Sequence, residues 1–179
     1  MINDRSVNIG DEENPRWKII ARHDDKEIFG FFGEYRFLSN FWPAKVHFEG
    51  AVYPTAENAY QAAKFPKKHR QEFLFCSPEK AKLFGRNVRD RSTQEAVWSE
   101  SKVAVMRSIV YAKFVSNVSL RCLLLATGDR VLIEANWWED YFWGVHVSEE
   151  GVSSGENHLG LLLMEVRSSF SMLSPSERA

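Results

Sequence analysis

Apolar and polar positions alternate in the first third of the chain and recur at helical spacing after it. Trp17–Arg22 and Glu27–Phe32 are rich in β-formers, and Ala44–Glu49 alternates before Gly50 turns the chain into Ala51–Tyr53, which predicts a hairpin. Thr55 can cap a helix running to about Lys64, with Ala56, Ala59, Tyr60 and Ala63 as its buried stripe. Ser77, Pro78 and Glu79 place a cap and an N1 proline before a short helix that stops at Gly85. Ser92 and Glu95 form a capping box for a long helix to about Phe114, carrying Val97/Trp98, Val105/Met106 and Ile109/Val110 on one side. Asn117 starts another helix that ends at Gly128, and Arg130–Ala135 reads as a strand. Ser153 with Glu156 forms a second capping box before a terminal helix whose Leu159, Leu162, Leu163, Val166 and Phe170 face inward. The expectation is an α+β, helix-dominated single domain with short N-terminal strands and a hairpin. It covers residues 17–170, between a flexible segment 1–16 and a tail 171–179.

Length and charge narrow this picture. A chain of 179 residues buries enough surface to fold without staples. With 23 Lys+Arg against 24 Asp+Glu it has no global basic field, which excludes a protein that coats nucleic acid. The charge is uneven, however: Lys64–Arg91 holds nine basic and three acidic residues, and Leu132–Ala179 holds eight acidic residues and two Arg. Any anion site is therefore local. Cys76 and Cys122 lie 46 residues apart, which fits neither a disulfide framework nor a zinc knuckle and suggests a reducing compartment. No cationic start with an apolar core and no long apolar run is visible, so a cytoplasmic protein with no membrane partner is expected.

Three constellations could carry chemistry. Glu57, Gln61 and Lys64 fall at i, i+4 and i+7 of the Thr55 helix, where a carboxylate near the helix start is favoured by the dipole. Spacing alone more often describes a solvated Glu on a surface helix. Aromatic residues cluster as well, with seven between Phe29 and Trp42 and five between Trp137 and Trp143, half of the chain's 24 rings. Rings on loops can stack on flat ligands, although most Phe side chains simply fill cores. Arg86, Arg89 and Arg91 precede the helix start at Ser92, an arrangement suited either to seating phosphate or to a charged turn. No Walker loop, dinucleotide fingerprint, metal-ligand spacing or thiol signature is present, so neither metal nor cofactor is expected.

Phe37-Leu-Ser-Asn-Phe41, followed by Tyr53-Pro-Thr-Ala-Glu57-Asn-Ala-Tyr-Gln-Ala-Ala-Lys64-Phe65, resembles the YbiA-like or NADAR (NAD and ADP-ribose) family. Gly85-Arg86, Trp98 with Lys102 and Met106, Leu123–Thr127, Asp140-Tyr-Phe-Trp143-Gly144 and Asn157–Arg167 follow in the family's order, so the likeness spans about three-quarters of the chain. It implies an N-glycosidase acting on early riboflavin-pathway intermediates (ribosylaminouracil phosphates) or on ADP-ribosylated guanine in nucleic acid, without a cofactor. Carried over by motif, the catalytic set is Glu57, Trp98, Trp143 and Asp140. The substrate-binding set is Asn40, Phe41, Asn58, Gln61, Lys64, Arg86, Lys102, Gly144 and Asn157. Two departures stand out: Asn58 occupies a position commonly His, and Val145 one that is Asp in some members, which leaves Asp140 to supply that charge.

The chemistry supports these roles. Breaking a ribosyl C–N bond builds oxocarbenium character on the sugar and negative charge on the base, which calls for a carboxylate, a proton source and a face for the base. Glu57 would stabilise the cation or activate water, Trp98 and Trp143 would stack, and Lys64, Arg86 and Lys102 would neutralise phosphate. A non-hydrolysing ADP-ribose or nucleotide-binding module is the alternative. A helical interaction protein, the third reading, requires Trp98 and Trp143 to be fully buried and far from Glu57.

Overall fold

The computed structural model describes residues 21–86 and 94–172. Its strands in chain order are β1 (Arg22–His23), β2 (Glu27–Phe29), β3 (Val46–Phe48), β4 (Ala51–Tyr53), β5 (Val131–Ile133), β6 (Ala135–Asn136), β7 (Val145–Val147) and β8 (Ser153–Ser154). Its α-helices are α1 (Ala56–Ala63), α2 (Pro78–Arg86), α3 (Gln94–Val115), α4 (Val118–Ala126) and α5 (His158–Ser171). This is the expected α+β class. The chain forms two units, one from the residues up to Phe37 with Asp129–Gly160, the other from Leu38–Gly128 with the residues from Leu161 on.

In the first unit β2 lies between β1, antiparallel, and β5, parallel, while β7 lies between β6, parallel, and β8, antiparallel. Phe29, Phe32, Ala135 and Val147 form one core cluster in it, and Trp137 stacks on Phe32 with centroids 5.6 Å apart. The strand predicted over Glu27–Phe32 stops at Phe29 because Gly30 takes φ +86°, outside the β region. The Trp17–Arg22 prediction falls mainly outside the described residues, and only Arg22 and His23 are seen as strand. The predicted Arg130–Ala135 strand is split at Glu134, whose N–H is donated to Asn157 Oδ1 at 3.0 Å.

The second capping box is corrected by the structure. Ser153 and Ser154 pair with Val147 and His146 as a strand, and α5 begins only at His158. Its leading donors need no side-chain cap, because the His158 and Leu159 N–H groups bond the carbonyls of Phe142 and Trp143 at 3.2 and 3.0 Å. Glu156 instead sends its carboxylate to His158 Nε2, 2.8 Å away.

The second unit opens with the predicted hairpin. Val46 pairs with Tyr53 and both are buried, while Val52 points outward. The two-residue turn has φ +47° at Glu49 and +84° at Gly50, the paired positive values of a primed turn that matches strand twist. Thr55 caps α1 as expected, its Oγ1 accepting the Asn58 N–H at 3.1 Å. Ser77 Oγ likewise accepts the Lys80 N–H at 3.3 Å ahead of α2, which runs one residue past the predicted stop. Ser92 lies outside the described residues. On α3 the inward line is Met106, Ile109, Val110 and Phe114, whereas Val97, assigned to that line by the sequence, is 66% exposed. Asn117 precedes α4 without capping it; its amide donates instead to the carbonyls of Lys45 and Lys113 at 2.9 and 2.6 Å. The five predicted inward residues of α5 are all buried.

Burial pushes the Tyr53 phenol above its ordinary value, against an opposing pull from Arg70. A raised folded-state value leaves stability intact below the unfolded tyrosine range, about pH 10, and removes it as the pH climbs above that. Thermal melts from pH 8 to 11 are expected to fall more steeply for the parent than for Tyr53→Phe; parallel curves would dismiss the effect.

Candidate active site

Helix α1 is the centre of the site, and its surroundings use nearly every side of it. Glu57 and Gln61 are 6% and 5% exposed, so the solvated surface glutamate that spacing allowed is not what the fold builds. A buried carboxylate must be held by donors. Gln61 Nε2 donates to Glu57 Oε1 at 2.8 Å, and the Glu57 backbone N–H, one of the helix's uncapped donors, bonds the Asn40 carbonyl at 3.0 Å. Asn40 sits in the Phe37–Phe41 motif. Its Nδ2 lies 3.4 Å from Met106 Sδ, and its Oδ1 is buried with no hydrogen-bond partner among the described residues.

One turn along α1, Tyr60 meets Trp98 of α3 at 5.2 Å between centroids, with Lys64 Nζ 5.2 Å from the first ring and 5.9 Å from the second. Glu57, Tyr60, Gln61 and Lys64 thus form one face that joins an acid, a ring pair and a cation. Trp98 is half-buried, as is Trp143, and Trp98 packs on Tyr60 one turn from Glu57, which is not what the third reading requires. Lys102 follows Trp98 by four residues on α3 and is half-buried. Phe41 has Lys82 Nζ 5.6 Å from its ring, and Arg86 is exposed at the last turn of α2, where the dipole favours a cation. Arg89, Arg91 and the helix start at Ser92 lie outside the described residues.

Asn58 departs from its assigned role. It is 0% exposed; its Oδ1 accepts the Thr55 hydroxyl at 2.6 Å, and its Nδ2 donates to the carbonyls of Phe73 and Cys76, each at 2.9 Å. It ties α1 to the segment before α2. Burial beside it also raises the Cys76 thiol above its ordinary range, which suits a structural cysteine.

In the other unit, Asp140, Trp143, Gly144 and Asn157 build a turn. Asn136, fully buried, accepts the Asp140 N–H at 3.0 Å through Oδ1 and donates to the Asp140 carbonyl at 2.9 Å; Asp140 Oδ1 in turn accepts the Trp143 N–H at 2.9 Å. Asn157, at φ +55°, donates to the Leu132 carbonyl at 2.9 Å and accepts from Glu134, so both ends of its amide serve backbone. Gly144 is glycine because a Cβ would stand 2.3 Å from the Glu134 carbonyl. These contacts give Asp140, Gly144 and Asn157 architectural work.

Sequence reasoning missed Lys113. It is 1% exposed, and its Nζ donates to the Ser39 carbonyl at 2.8 Å, next to the carbonyl that receives the Glu57 N–H. A lysine at helical spacing from Met106 and Val110, within an inward apolar line, was the available signal. Tyr60 was assigned only to the core stripe, and Asn136 carried no local signature. Among the described residues no group of three His, Cys, Asp or Glu could hold a metal ion.

The family model for the NADAR domain matches residues 23–171. N-glycosidase YbiA of Escherichia coli (strain K12) is 41% identical over 139 residues, covering 75% of this chain and 81% of that protein. The NMR structure of E. coli YbiA superposes with a TM-score of 0.66 at 33% identity, over 87% of this chain and 91% of that one. A riboflavin biosynthesis protein of Vibrio vulnificus (strain YJ016) is 38% identical over 131 residues, which are 73% of this chain but 34% of that longer protein. The chloroplastic riboflavin biosynthesis protein PYRR of Zea mays is 36% identical over 166 residues, 84% of this chain and 25% of that one. The chain belongs to the NADAR family.

Proposed function

We infer that this NADAR-family hydrolase of N-glycosyl bonds acts on the ribosyl C–N bond of ribosylaminouracil phosphates, the early intermediates of riboflavin synthesis. The observation that carries the chemistry is the α1 face: a buried, oriented Glu57 beside a ring pair topped by Lys64. The riboflavin names of the Vibrio and maize relatives favour this substrate class, as does the absence of a net basic charge.

Water attacks C1′ as the C–N bond breaks; Glu57 takes a proton from the water and returns it to the departing amine nitrogen, so that one water is consumed and the carboxylate is regenerated. The products are ribose 5-phosphate and a diaminouracil. Trp98 offers the uracil a stacking face, and Lys64 and Arg86 supply cations for the phosphate.

The test is incubation with a ribosylaminouracil phosphate and, separately, with an oligonucleotide carrying ADP-ribosylated guanine, followed by mass spectrometry. Release of ribose 5-phosphate from the first is the expected result. Release from the oligonucleotide alone would move the substrate to nucleic acid, and tight binding without release from either would leave a non-hydrolysing module.

A further inference from the structure

The Gln61 amide is oriented at a cost. Its Nε2 bonds Glu57 Oε1 at 2.8 Å, while its Oε1 is buried without a hydrogen-bond partner among the described residues. Turning the amide over would remove the donor from the carboxylate and set two oxygens against each other. The observed orientation accepts a bare oxygen to keep a donor on Glu57.

The bare oxygen occupies a particular place. At Gly85, in the last turns of α2, an added Cβ would stand 1.7 Å from Gln61 Oε1 and 2.7 Å from Cδ. No real side-chain atom can share that space, and the oxygen is the buried end of the same amide that reaches Glu57. Gly85 has an ordinary helical conformation, so backbone freedom does not explain a glycine inside a helix, where it weakens the element relative to alanine.

We propose that Gln61 is a positioning residue that aims the Glu57 carboxylate, and that residue 85 is glycine to make room for the Gln61 amide. This rests on Glu57 acting in hydrolysis, and it removes Gln61 from the groups that touch substrate. Alanine at position 85 would push the amide aside and disorient Glu57 from the neighbouring helix.

Four variants test it with a ribosylaminouracil phosphate as substrate: Gln61→Met, Gln61→Ala, Gly85→Ala, and Gln61→Ala with Gly85→Ala. Gln61→Met, which keeps the shape and loses the donor, is expected to lower kcat about tenfold or more with KM changed less than about twofold. Gly85→Ala should lower kcat similarly in the parent, yet add little when Gln61 is already alanine, because the clashing amide is gone. A raised KM with kcat preserved in Gln61→Met would return Gln61 to substrate contact and overturn the proposal. Equal damage by Gly85→Ala on both backgrounds, in kcat and in melting temperature, would overturn the fit between the two residues. Melting temperatures read that fit without catalysis, so an inactive parent would count against the substrate assignment and not against the packing.

Discussion

Glu57→Gln is expected to lower kcat by roughly 10²- to 10⁴-fold, the range for loss of a positioned acid–base group. The fold should survive. Gln is isosteric with Glu, its carbonyl can still accept the Gln61 amide at the 2.8 Å position, and the Asn40 carbonyl bonds a backbone N–H that the substitution leaves in place. The shape and the Gln61 contact are preserved, so the melting temperature should change little. Steady-state kinetics and a thermal melt on the same preparation check both halves. Full activity in a folded variant would remove Glu57 from the chemistry, and with it the account of the α1 face.

Asn58→Leu is expected to do the reverse: substantial loss of stability with little effect on turnover by the protein that remains folded. Leucine fills the volume but leaves the buried Phe73 carbonyl and the part-buried Cys76 carbonyl without their donor and the Thr55 hydroxyl without its acceptor, although Thr55 Oγ1 keeps the residue-58 backbone N–H. At roughly 1–3 kcal/mol for each stranded group, about 3 kcal/mol is a conservative total. In a chain of this size that lowers the melting temperature by roughly 6–12 °C. If Asn58→Leu kept its melting temperature and raised KM instead, Asn58 would be a substrate contact, as the motif resemblance implied.

These two neighbours explain how far the sequence could be read. Periodicity and capping chemistry located the hairpin, α1, α2, most of α3 and the inward face of α5, because those signals are local. The Ser153/Glu156 box misled for the same reason: its spacing suits a cap, but the donors it would have served are met by the carbonyls of Phe142 and Trp143. Such partners lie on another turn, out of reach of a local pattern. Within the candidate site, the motif named Glu57 and Trp98, which the fold brings to one side of α1, whereas the contacts of Asn58, Asn157 and Gly144 depend on which backbone passes beside them. The seven aromatics of the Phe29–Trp42 stretch divide in the same way: Phe29, Phe31, Phe32 and Phe37 are buried, and Tyr35, Phe41 and Trp42 are only partly so. A count of rings cannot make that division.

Helix α1 has almost no idle face. Thr55 and Asn58 secure its start, Gln61 is fitted against Gly85, Tyr60 carries Trp98, and the hairpin delivers the chain directly into its cap. Each of its positions therefore answers to several neighbours at once, and a single exchange there seldom satisfies them all. Descendants of this chain that acquire a different taste in substrates have little room to do so by redrawing the helix that bears the acid. Latitude of size and charge is greater at positions such as Phe41, Lys82, Arg86 and Lys102, whose side chains are at least partly exposed.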